Sequence, residues 1–462
     1  MDRLLFDVYM EHTGSKFLSL LLLKYSMETV IAMAYATGRT LVLPPEQKMY
    51  LLGDATSKQR NTFSFLDFYH LDRIAKEHSG LDIISMETFL LRTLGELHDV
   101  NTHQISFPPL NHTNWNRRNV EVKEQLNPWL RTVALMPQWD PSKCLAAFPD
   151  SQEANSIAGL HKDLQSLLVN GQAPKPETSS LIGHPTPVNG TSQQRLLEDL
   201  AGRNELCIYD QVLQAAPLIH FHGKKGIGAR LLVHFYAFLF FEDYQQDLWM
   251  KRFIRDHVRY IDELQCAAAR IVQAVRNRAR SKNMTNTKGE FDTFHIRRGD
   301  FQYKKTRIDA DEIYKISKDI LIPGSTVYLA TDERDKSFFQ PMKEHYDVVF
   351  LDDYMHLIPG LNTNYYGMLD QLIATRGRYF FGCWFSTFTG FINRMRGYHA
   401  DKDKLPGWEK GLIESYYYAM PEHKMMMREY YPLKQSFFAR EYPISWRDLN
   451  HDIQNTTTLG VR

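Results

Sequence analysis

The second half of the sequence alternates between strand-like and helix-like segments, and this alternation limits the possible folds more than any other feature. From residue 291 onward, short apolar segments rich in β-branched and aromatic residues are each followed by a segment with helical spacing of its apolar residues. The predicted strands are residues 291–296, 325–330, 348–351 and 378–383. Repeated strand–helix units predict an α/β fold with a parallel, doubly wound sheet, which binds ligands at the carboxyl ends of its strands.

Polar side chains follow three of these predicted strands, namely His295, Arg297, Asp332 and Ser386. Ser386 and Thr387 stand where a strand gives way to a helix. The N-terminus of a helix attracts anions because its unpaired N–H groups and its dipole point the same way. An arginine on a neighbouring strand end adds a fork of N–H donors suited to phosphate. The sequence therefore predicts a diphosphate site at this edge of the sheet.

Ser386, Asp332 and the nearby Asp370 also have purely structural interpretations. Ser386 can cap the helix that follows it, and Asp332 can cap the next helix in the same way. The spacing around Asp370 is that of a solvated residue on a helix surface. Only the combination of an arginine and a helix start on one sheet edge favours the anion site over simple capping.

The length of 462 residues exceeds what one hydrophobic core usually supports, so we expect two domains. The predicted domains are residues 1–245 and 246–462, and the first contains a mobile insertion at 151–203 that is rich in Ser, Gln, Asn, Pro and Gly. Apolar positions at helical spacing over 250–275 predict one long helix that opens the second domain. His257 lies on that apolar stripe and is interpreted as structural, since one histidine has no metal-ligand spacing around it.

Composition and motifs exclude several classes of function. A net charge of +1 at pH 7 gives no basic surface for nucleic acid. The four cysteines form no CxxC pair, which argues against a zinc–cysteine site and leaves disulfides undecided. No apolar segment approaches the ~20 residues that span a membrane. The DxD-like pair Asp309 and Asp311 is better explained as a helix start, because Asp309 and Glu312 have capping-box spacing, so we predict no catalytic metal.

Three motifs stand out in the second half of the chain: HIRRGDF at 295–301, LATDE at 329–333 and WFSTFTGFINRMRGY at 384–398. They resemble the three C-terminal motifs of the GDP-fucose protein O-fucosyltransferase superfamily. RTLVLPP at 39–45 and RDHVRY at 255–260 look like segments of its N-terminal domain and linking helix. The resemblance covers most of the chain apart from 151–203.

The resemblance implies a GT-B-like fold, with two Rossmann-like domains facing a cleft, and an inverting, metal-independent transfer of fucose from GDP-fucose without a cofactor. It gives Arg297 a catalytic contact with the β-phosphate and glycosidic oxygen. Asp370 would accept hydrogen bonds from guanine, a role suited to an ionised carboxylate. The remaining donor-site residues that it implies are His295, Asp332, Ser386, Thr387 and Phe388.

The first 25 residues depart from the family pattern. Before its first helix the family has a glycine-rich GGxNNxR-like loop, whereas this chain has SKFLSLLLLKY at 15–25. Some members use a glutamate near that loop as the catalytic base, and Glu11 is the nearby candidate. We therefore expect the chain as written to bind GDP and to turn over poorly.

Three functions remain open on the sequence alone: fucose transfer to a Ser or Thr hydroxyl of a protein, fucose transfer to a glycan, and binding of a GDP-sugar without catalysis. The resemblance implies a location in the secretory pathway, in the lumen of the Golgi or endoplasmic reticulum. Four N-x-S/T sequons, at Asn111, Asn189, Asn283 and Asn455, are compatible with that location.

Overall fold

The computed structural model describes residues 4–9, 20–44, 63–78, 80–89, 130–151, 153–169, 192–200, 202–222, 235–299, 304–383, 386–404, 414–418 and 425–426. The chain divides between Arg259 and Tyr260 into two compact units. No helix within the described ranges combines the length and apolar character that a bilayer crossing requires.

The first unit contains two small parallel sheets, whose strands are β1 (Leu4–Tyr9), β2 (Thr40–Val42), β3 (Ile83–Ile84), β4 (Cys144–Phe148), β5 (Glu205–Ile208), β6 (Leu218–His222) and β7 (Leu239–Phe241). One sheet has the order β3-β2-β1-β6 and the other β5-β4-β7. Its helices are α1 (Leu20–Ala36), α2 (Leu71–Glu77), α3 (Ala154–Val169), α4 (Ser192–Leu200), α5 (Gln211–Ala215), α6 (Phe235–Phe238) and α7 (Tyr244–His257).

The prediction of a mobile insertion at 151–203 is wrong for both ends of that segment. Helices α3 and α4 lie within it and bury leucines against β4, β5 and β7, and the most buried of these are Leu160, Leu196 and Leu200. Polar composition was a poor guide because each helix buries only one face and leaves the rest of its residues in water. Residues 170–191 lie outside the described residues.

The cysteines that the sequence left undecided divide into one pair and two thiols. Cys144 on β4 and Cys207 on β5 form a disulfide, with their Cα atoms 5.6 Å apart. Cys266 is exposed and Cys383 is buried, both as free thiols. The disulfide joins neighbouring strands of one sheet although its cysteines are separated by 63 residues in sequence.

The second unit confirms the predicted parallel, doubly wound sheet. Its strands are β8 (Asp292–Ile296), β9 (Thr326–Thr331), β10 (Asp347–Val349), β11 (Phe380–Cys383), β12 (Ser415–Tyr418) and β13 (Met425–Met426). The order is β10-β9-β8-β11-β12-β13, and only the β12–β13 pair is antiparallel. The helices are α8 (Asp262–Lys282), α9 (Ala310–Ser317), α10 (Gln340–Lys343), α11 (Tyr366–Ala374) and α12 (Thr387–Asp403).

The strand order places a topological switch point between β8 and β11. From β8 the chain proceeds outward through β9 to β10, and it then returns to the other side of β8 to form β11. Connections on opposite sides of a switch point leave a crevice at the carboxyl ends of the two strands, where open α/β sheets bind their ligands. The predicted anion-binding residues follow these strands.

Both faces of the central strand β8 are covered, which explains its nearly continuous run of buried residues. Phe294 and Ile296 belong to the apolar core that also contains Ile313 of α9 and Met342 of α10. Thr293 points to the opposite face and donates a hydrogen bond from its hydroxyl to the carbonyl of Ala374 on α11, at 2.9 Å. By the alternation of a strand, His295 shares that second face.

The single long helix predicted over 250–275 is two helices, α7 and α8. Between them Val258 has φ −87° and ψ 74°, and Ile261 has ψ 154°, neither of which is helical. Tyr260 lies in the break and donates its hydroxyl to the side-chain oxygen of Gln371 at 2.6 Å. The apolar spacing continues across the break because each helix buries one face, so the spacing alone could not locate it.

Candidate functional site

His295 lies at the switch point and is held by the first turn of α12. Its Nδ1 is 2.8 Å from the Thr389 hydroxyl, which also accepts the backbone N–H of Cys383 at 2.9 Å. The Phe388 ring stacks on the imidazole, with ring centroids 4.3 Å apart and planes at 24°. Burial, with the charge of Arg297 adding to it, lowers the pKa of His295 to about 3. The imidazole is therefore neutral at physiological pH, and Nε2 is the ring nitrogen left for a ligand.

Asp332 organises the turn that follows β8. Its Oδ1 accepts the backbone N–H of Arg298 at 2.7 Å, and its Oδ2 accepts that of Gly299 at 2.9 Å. The same Oδ2 forms an ion pair with Nη1 of Arg297 at 2.7 Å. A side chain at position 299 would collide with this carboxylate, which explains the glycine there.

The interpretation of Asp332 as a helix cap is wrong. The next helical turn begins at Lys336, and its cap is Asp335, whose side chain accepts the backbone N–H of Ser337 at 2.9 Å. Asp332 instead joins the end of β9 to the turn after β8, an arrangement that sequence spacing could not reveal.

The two adjacent arginines of the turn have different surroundings. Arg297 has a 20% exposed side chain paired with Asp332, and its backbone N–H donates to the Tyr418 hydroxyl at 3.1 Å. Arg298 lies 3.6 Å over the Phe338 ring, donates from Nε to Glu333 at 2.9 Å, and donates from Nη1 to a backbone carbonyl. Arg298 is therefore part of the packing, whereas Arg297 is the arginine whose charge reaches His295.

Helix α12 begins where the third motif predicts. The carbonyl of Ser386 accepts the N–H of Gly390 at 3.1 Å, which is the first bond of the helix and places Ser386 at its N-cap position. Thr387 and Phe388 occupy the first turn. The first N–H groups of a helix have no partner within it and carry the positive end of its dipole, so this end of α12 suits an anion.

Asp370 lies on α11 and is bound to the sheet. Its Oδ1 accepts the hydroxyl of Tyr328 on β9 at 2.6 Å, and burial raises the pKa of the carboxyl to about 7. The interpretation of Asp370 as a solvated residue is therefore wrong. Its helix adjoins the start of α12, because a Cβ at Gly367 would lie 3.8 Å from the Phe388 ring. Within the described part of the chain, Asp370 makes no hydrogen bond or ion pair with His295 or Arg297.

Two predictions remain, the helix start at Asp309 and the candidate base Glu11. Asp309 is the N-cap residue of α9, in extended conformation with φ −75° and ψ 158°, but its side chain makes no capping hydrogen bond. The helix start is thus confirmed without the predicted capping box. Glu11 lies outside the described residues.

Three residues of the site were missed by sequence reasoning: Thr389, Tyr418 and Tyr328. Thr389 was within reach, because it stands inside the third motif beside Phe388. No sequence signal marks Tyr418 or Tyr328, because their hydrogen-bond partners are distant in sequence. Tyr418 is 121 residues from Arg297, and Tyr328 is 42 residues from Asp370.

The family model described as GDP-fucose protein O-fucosyltransferase matches residues 22–399. Among solved structures, the chain is similar to NodZ alpha-1,6-fucosyltransferase soaked with GDP-fucose, at 14% identity and a TM-score of 0.38, covering 92% of this chain and 99% of that one. POFUT1 in complex with GDP-fucose follows at 12% identity and 0.35, with 85% and 94% covered. Fucosyltransferase NodZ from Bradyrhizobium matches at 13% and 0.35, with 92% and 98% covered. No curated protein matches the sequence.

Proposed function

This chain belongs to the GDP-fucose protein O-fucosyltransferase family, and from that premise we propose that it transfers fucose from GDP-fucose to a Ser or Thr hydroxyl of a protein acceptor. The transfer proceeds with inversion and without a metal ion. The convergence of Arg297, His295 and the first turn of α12 at the switch point between β8 and β11 carries the proposal.

The diphosphate of the donor lies at this convergence. Arg297 offers charge-assisted hydrogen bonds to the β-phosphate, and the N–H groups at the start of α12 offer further donors. Neutral His295 contributes one hydrogen bond through Nε2, because Nδ1 is engaged by Thr389. Ser386, Thr387 and Phe388 surround the phosphates.

The guanine base lies against Asp370. An ionised carboxylate accepts two hydrogen bonds, which matches the N1 and N2 donors of guanine and neither adenine nor uracil. The hydrogen bond from Tyr328 fixes the orientation of the Asp370 carboxylate. Because the helix of Asp370, α11, adjoins Phe388 of α12, these two neighbouring helices can bind the base and the phosphates of the same nucleotide.

The reaction is a single displacement at the anomeric carbon. The acceptor oxygen forms its bond from the face opposite GDP, while the bond from carbon to the β-phosphate oxygen breaks and GDP leaves with the electron pair, so the configuration inverts. Arg297 and the end of α12 stabilise the negative charge that grows on the departing diphosphate. The proton of the acceptor hydroxyl passes to a base, for which Glu11 is our candidate.

Asp332 acts mainly by positioning Arg297. Its carboxylate holds both the guanidinium and the backbone of the turn, so the arginine need not be ordered when the donor arrives. A pre-ordered charge costs no reorganisation during the reaction. A direct contact of Asp332 with the donor stays a prediction.

Two alternatives share this donor site: a glycan as the acceptor, and binding of a GDP-sugar without catalysis. The departure of residues 15–25 from the family loop favours the second. We place the protein in the secretory pathway, which the Cys144–Cys207 disulfide supports because such bonds persist in oxidising compartments.

The proposal is tested by following labelled fucose from GDP-fucose into a folded Ser/Thr-containing protein domain and, separately, into a glycan. In a version with a GGxNN-type loop in place of residues 15–25, we expect transfer to the protein domain alone. This transfer should be lost in Arg297→Ala and retained in Arg270→Ala, which removes an exposed arginine of α8. Transfer to the glycan alone would replace the acceptor assignment. GDP binding without transfer, both in the chain as written and in a version with a GGxNN-type loop, would favour a protein that binds a GDP-sugar without catalysis.

A further inference from the structure

Two helices of the first unit end at one cluster of potential metal ligands. Helix α2 ends at Glu77 with His78 as its C-cap, and α7 ends at His257. Nε2 of His78 is 3.1 Å from Nδ1 of His257, and Oε2 of Glu77 is 3.5 Å from the same nitrogen. The three ligand atoms all lie within 4.8 Å of one another.

Two of the three separations are close to those of ligands that share a tetrahedral ion. Bonds of about 2.0–2.2 Å from zinc to nitrogen and oxygen place neighbouring ligand atoms roughly 3.3–3.5 Å apart. The observed 3.1 Å is slightly below that range, and the observed 3.5 Å is at its upper end. A hydrogen bond between the histidines explains the first distance by itself, and the Glu77 carboxylate brings a third potential ligand atom to the same nitrogen.

The surroundings favour a cation at this position. Helix α7 has 14 residues and directs the negative end of its dipole toward His257. The Phe253 ring packs against both imidazoles, at 5.3 Å from His78 and 5.1 Å from His257, and so limits their rotation. The side chains of His257 and Glu77 are 24% and 43% exposed, which leaves an ion a path from solvent.

We propose that Glu77, His78 and His257 bind one divalent transition-metal ion of the zinc class, with the fourth position open to water. Two imidazoles and one carboxylate suit zinc, whereas Mg²⁺ and Ca²⁺ prefer sites made only of oxygen. The ion ties the end of α2 to the end of α7 within the first unit. It is separate from the chemistry proposed at Arg297, for which we predict no metal.

The sequence alone could not identify His257 as a candidate metal ligand, so it favoured a structural interpretation. His78 precedes His257 by 179 residues, so no local ligand spacing announces the cluster. Folding alone brings the ligands together.

Binding is measured on the full chain, prepared without a histidine tag and stripped with chelator, by calorimetric titration with zinc. We expect one ion per chain and a rise in melting temperature on adding zinc, because an ion that binds only the folded state stabilises it. Cobalt(II) should give the intense visible bands of a tetrahedral ion. His78→Ala, His257→Ala and Glu77→Gln should each weaken zinc binding at least tenfold, whereas His161→Ala, on the exposed surface of α3, should leave it unchanged.

Glu77→Gln keeps the test decisive, because an exposed side chain can be changed to its amide without loss of packing. If Glu77→Gln and both alanine variants bind zinc as the unmodified chain does, or if the unmodified chain binds none at tens of micromolar, the site is rejected. The histidine variants could be destabilised while zinc leaves the melting temperature of the unmodified chain unchanged. That result would show that the two histidines form only a hydrogen-bonded pair, and it would also overturn the proposal.

Discussion

The charge of Arg297 is held in place before any ligand arrives, and this has a measurable consequence. Its guanidinium is paired with Asp332, and its backbone is bonded to Tyr418. An arginine fork contacts two phosphate oxygens at once, whereas a lysine is a point charge on a flexible stem. The site therefore uses the shape of the side chain as well as its charge.

We expect Arg297→Lys to lower kcat by roughly 10²-fold while changing GDP affinity by less than tenfold, since the contact strengthens as charge builds on the leaving group. Steady-state kinetics and calorimetry with GDP measure the two effects. A loss of GDP affinity as large as the loss of rate would show that Arg297 binds the ground state and the transition state equally.

The proposed contact of Asp370 with guanine predicts that donor binding depends on pH. Burial raises its pKa to about 7, so the carboxyl is mostly protonated below pH 7 and mostly ionised above it. Guanine needs the ionised form, and binding therefore competes with a proton. We expect GDP affinity measured by calorimetry to rise as the pH passes through 7 and to level off above it, with about a tenfold difference between pH 6 and pH 8.

Two variants separate Asp370 from the other groups that titrate in this range. The terminal phosphate of GDP itself titrates near pH 6, by analogy with the second pKa of a phosphate ester of about 6, and Asp370→Asn supplies that background together with a loss of preference for GDP over ADP and UDP. Tyr328→Phe removes the hydrogen bond that opposes the raised pKa, so its midpoint should move to higher pH. An unshifted midpoint in both variants would remove Asp370 from the guanine site.

Among the secondary-structure elements, burial decided which could be predicted. Strands β8, β9 and β11 were predicted to within two residues, because central parallel strands are buried on both faces and are therefore rich in apolar, β-branched and aromatic residues. Helices α3 and α4 were missed because a helix on the sheet surface buries one stripe in an otherwise polar sequence. The break between α7 and α8 was missed because it is stabilised by a contact of Tyr260 with Gln371, 111 residues away.

The same limit applies to the candidate site. Arg297, His295 and the start of α12 could be predicted because they stand at strand and helix ends, where local sequence defines the position. The role of Asp332 in the turn after β8 could not, because its partners Arg298 and Gly299 precede it by more than 30 residues.

Helices α3 and α4 should contribute to stability as parts of the core. We expect Leu160→Ala and Leu196→Ala to lower the free energy of unfolding by about 2–5 kcal/mol each, because both side chains are fully buried. Gln165→Ala, on the exposed face of α3, is the matched control and should change it by less than about 0.5 kcal/mol. Denaturant unfolding measures the difference, and equal values for leucine and control variants would restore the interpretation as an insertion without a packing role.

At the scale of the whole molecule, we propose that donor binding and turnover depend on different parts of the sequence. The proposed GDP contacts lie in the second unit, whereas the family's sugar-gripping loop corresponds to residues 15–25, of which the structure describes only the helical backbone from Leu20. We expect this chain to bind GDP and to release little GDP from GDP-fucose, and a version with a GGxNN-type loop in place of 15–25 to be active. Rapid, Arg297-dependent turnover by the chain as written would contradict this expectation.

The disulfide between Cys144 and Cys207 encloses residues 170–191 within a covalent loop. Cleavage of the chain by a protease anywhere in that segment would leave two fragments that are still joined through sulfur. Electrophoresis without reductant would show them as one band at the mass of the intact chain, and reductant would separate them into two. A preparation cleaved in this segment would therefore keep β4 and β5 tethered, so its integrity should be judged on reducing gels.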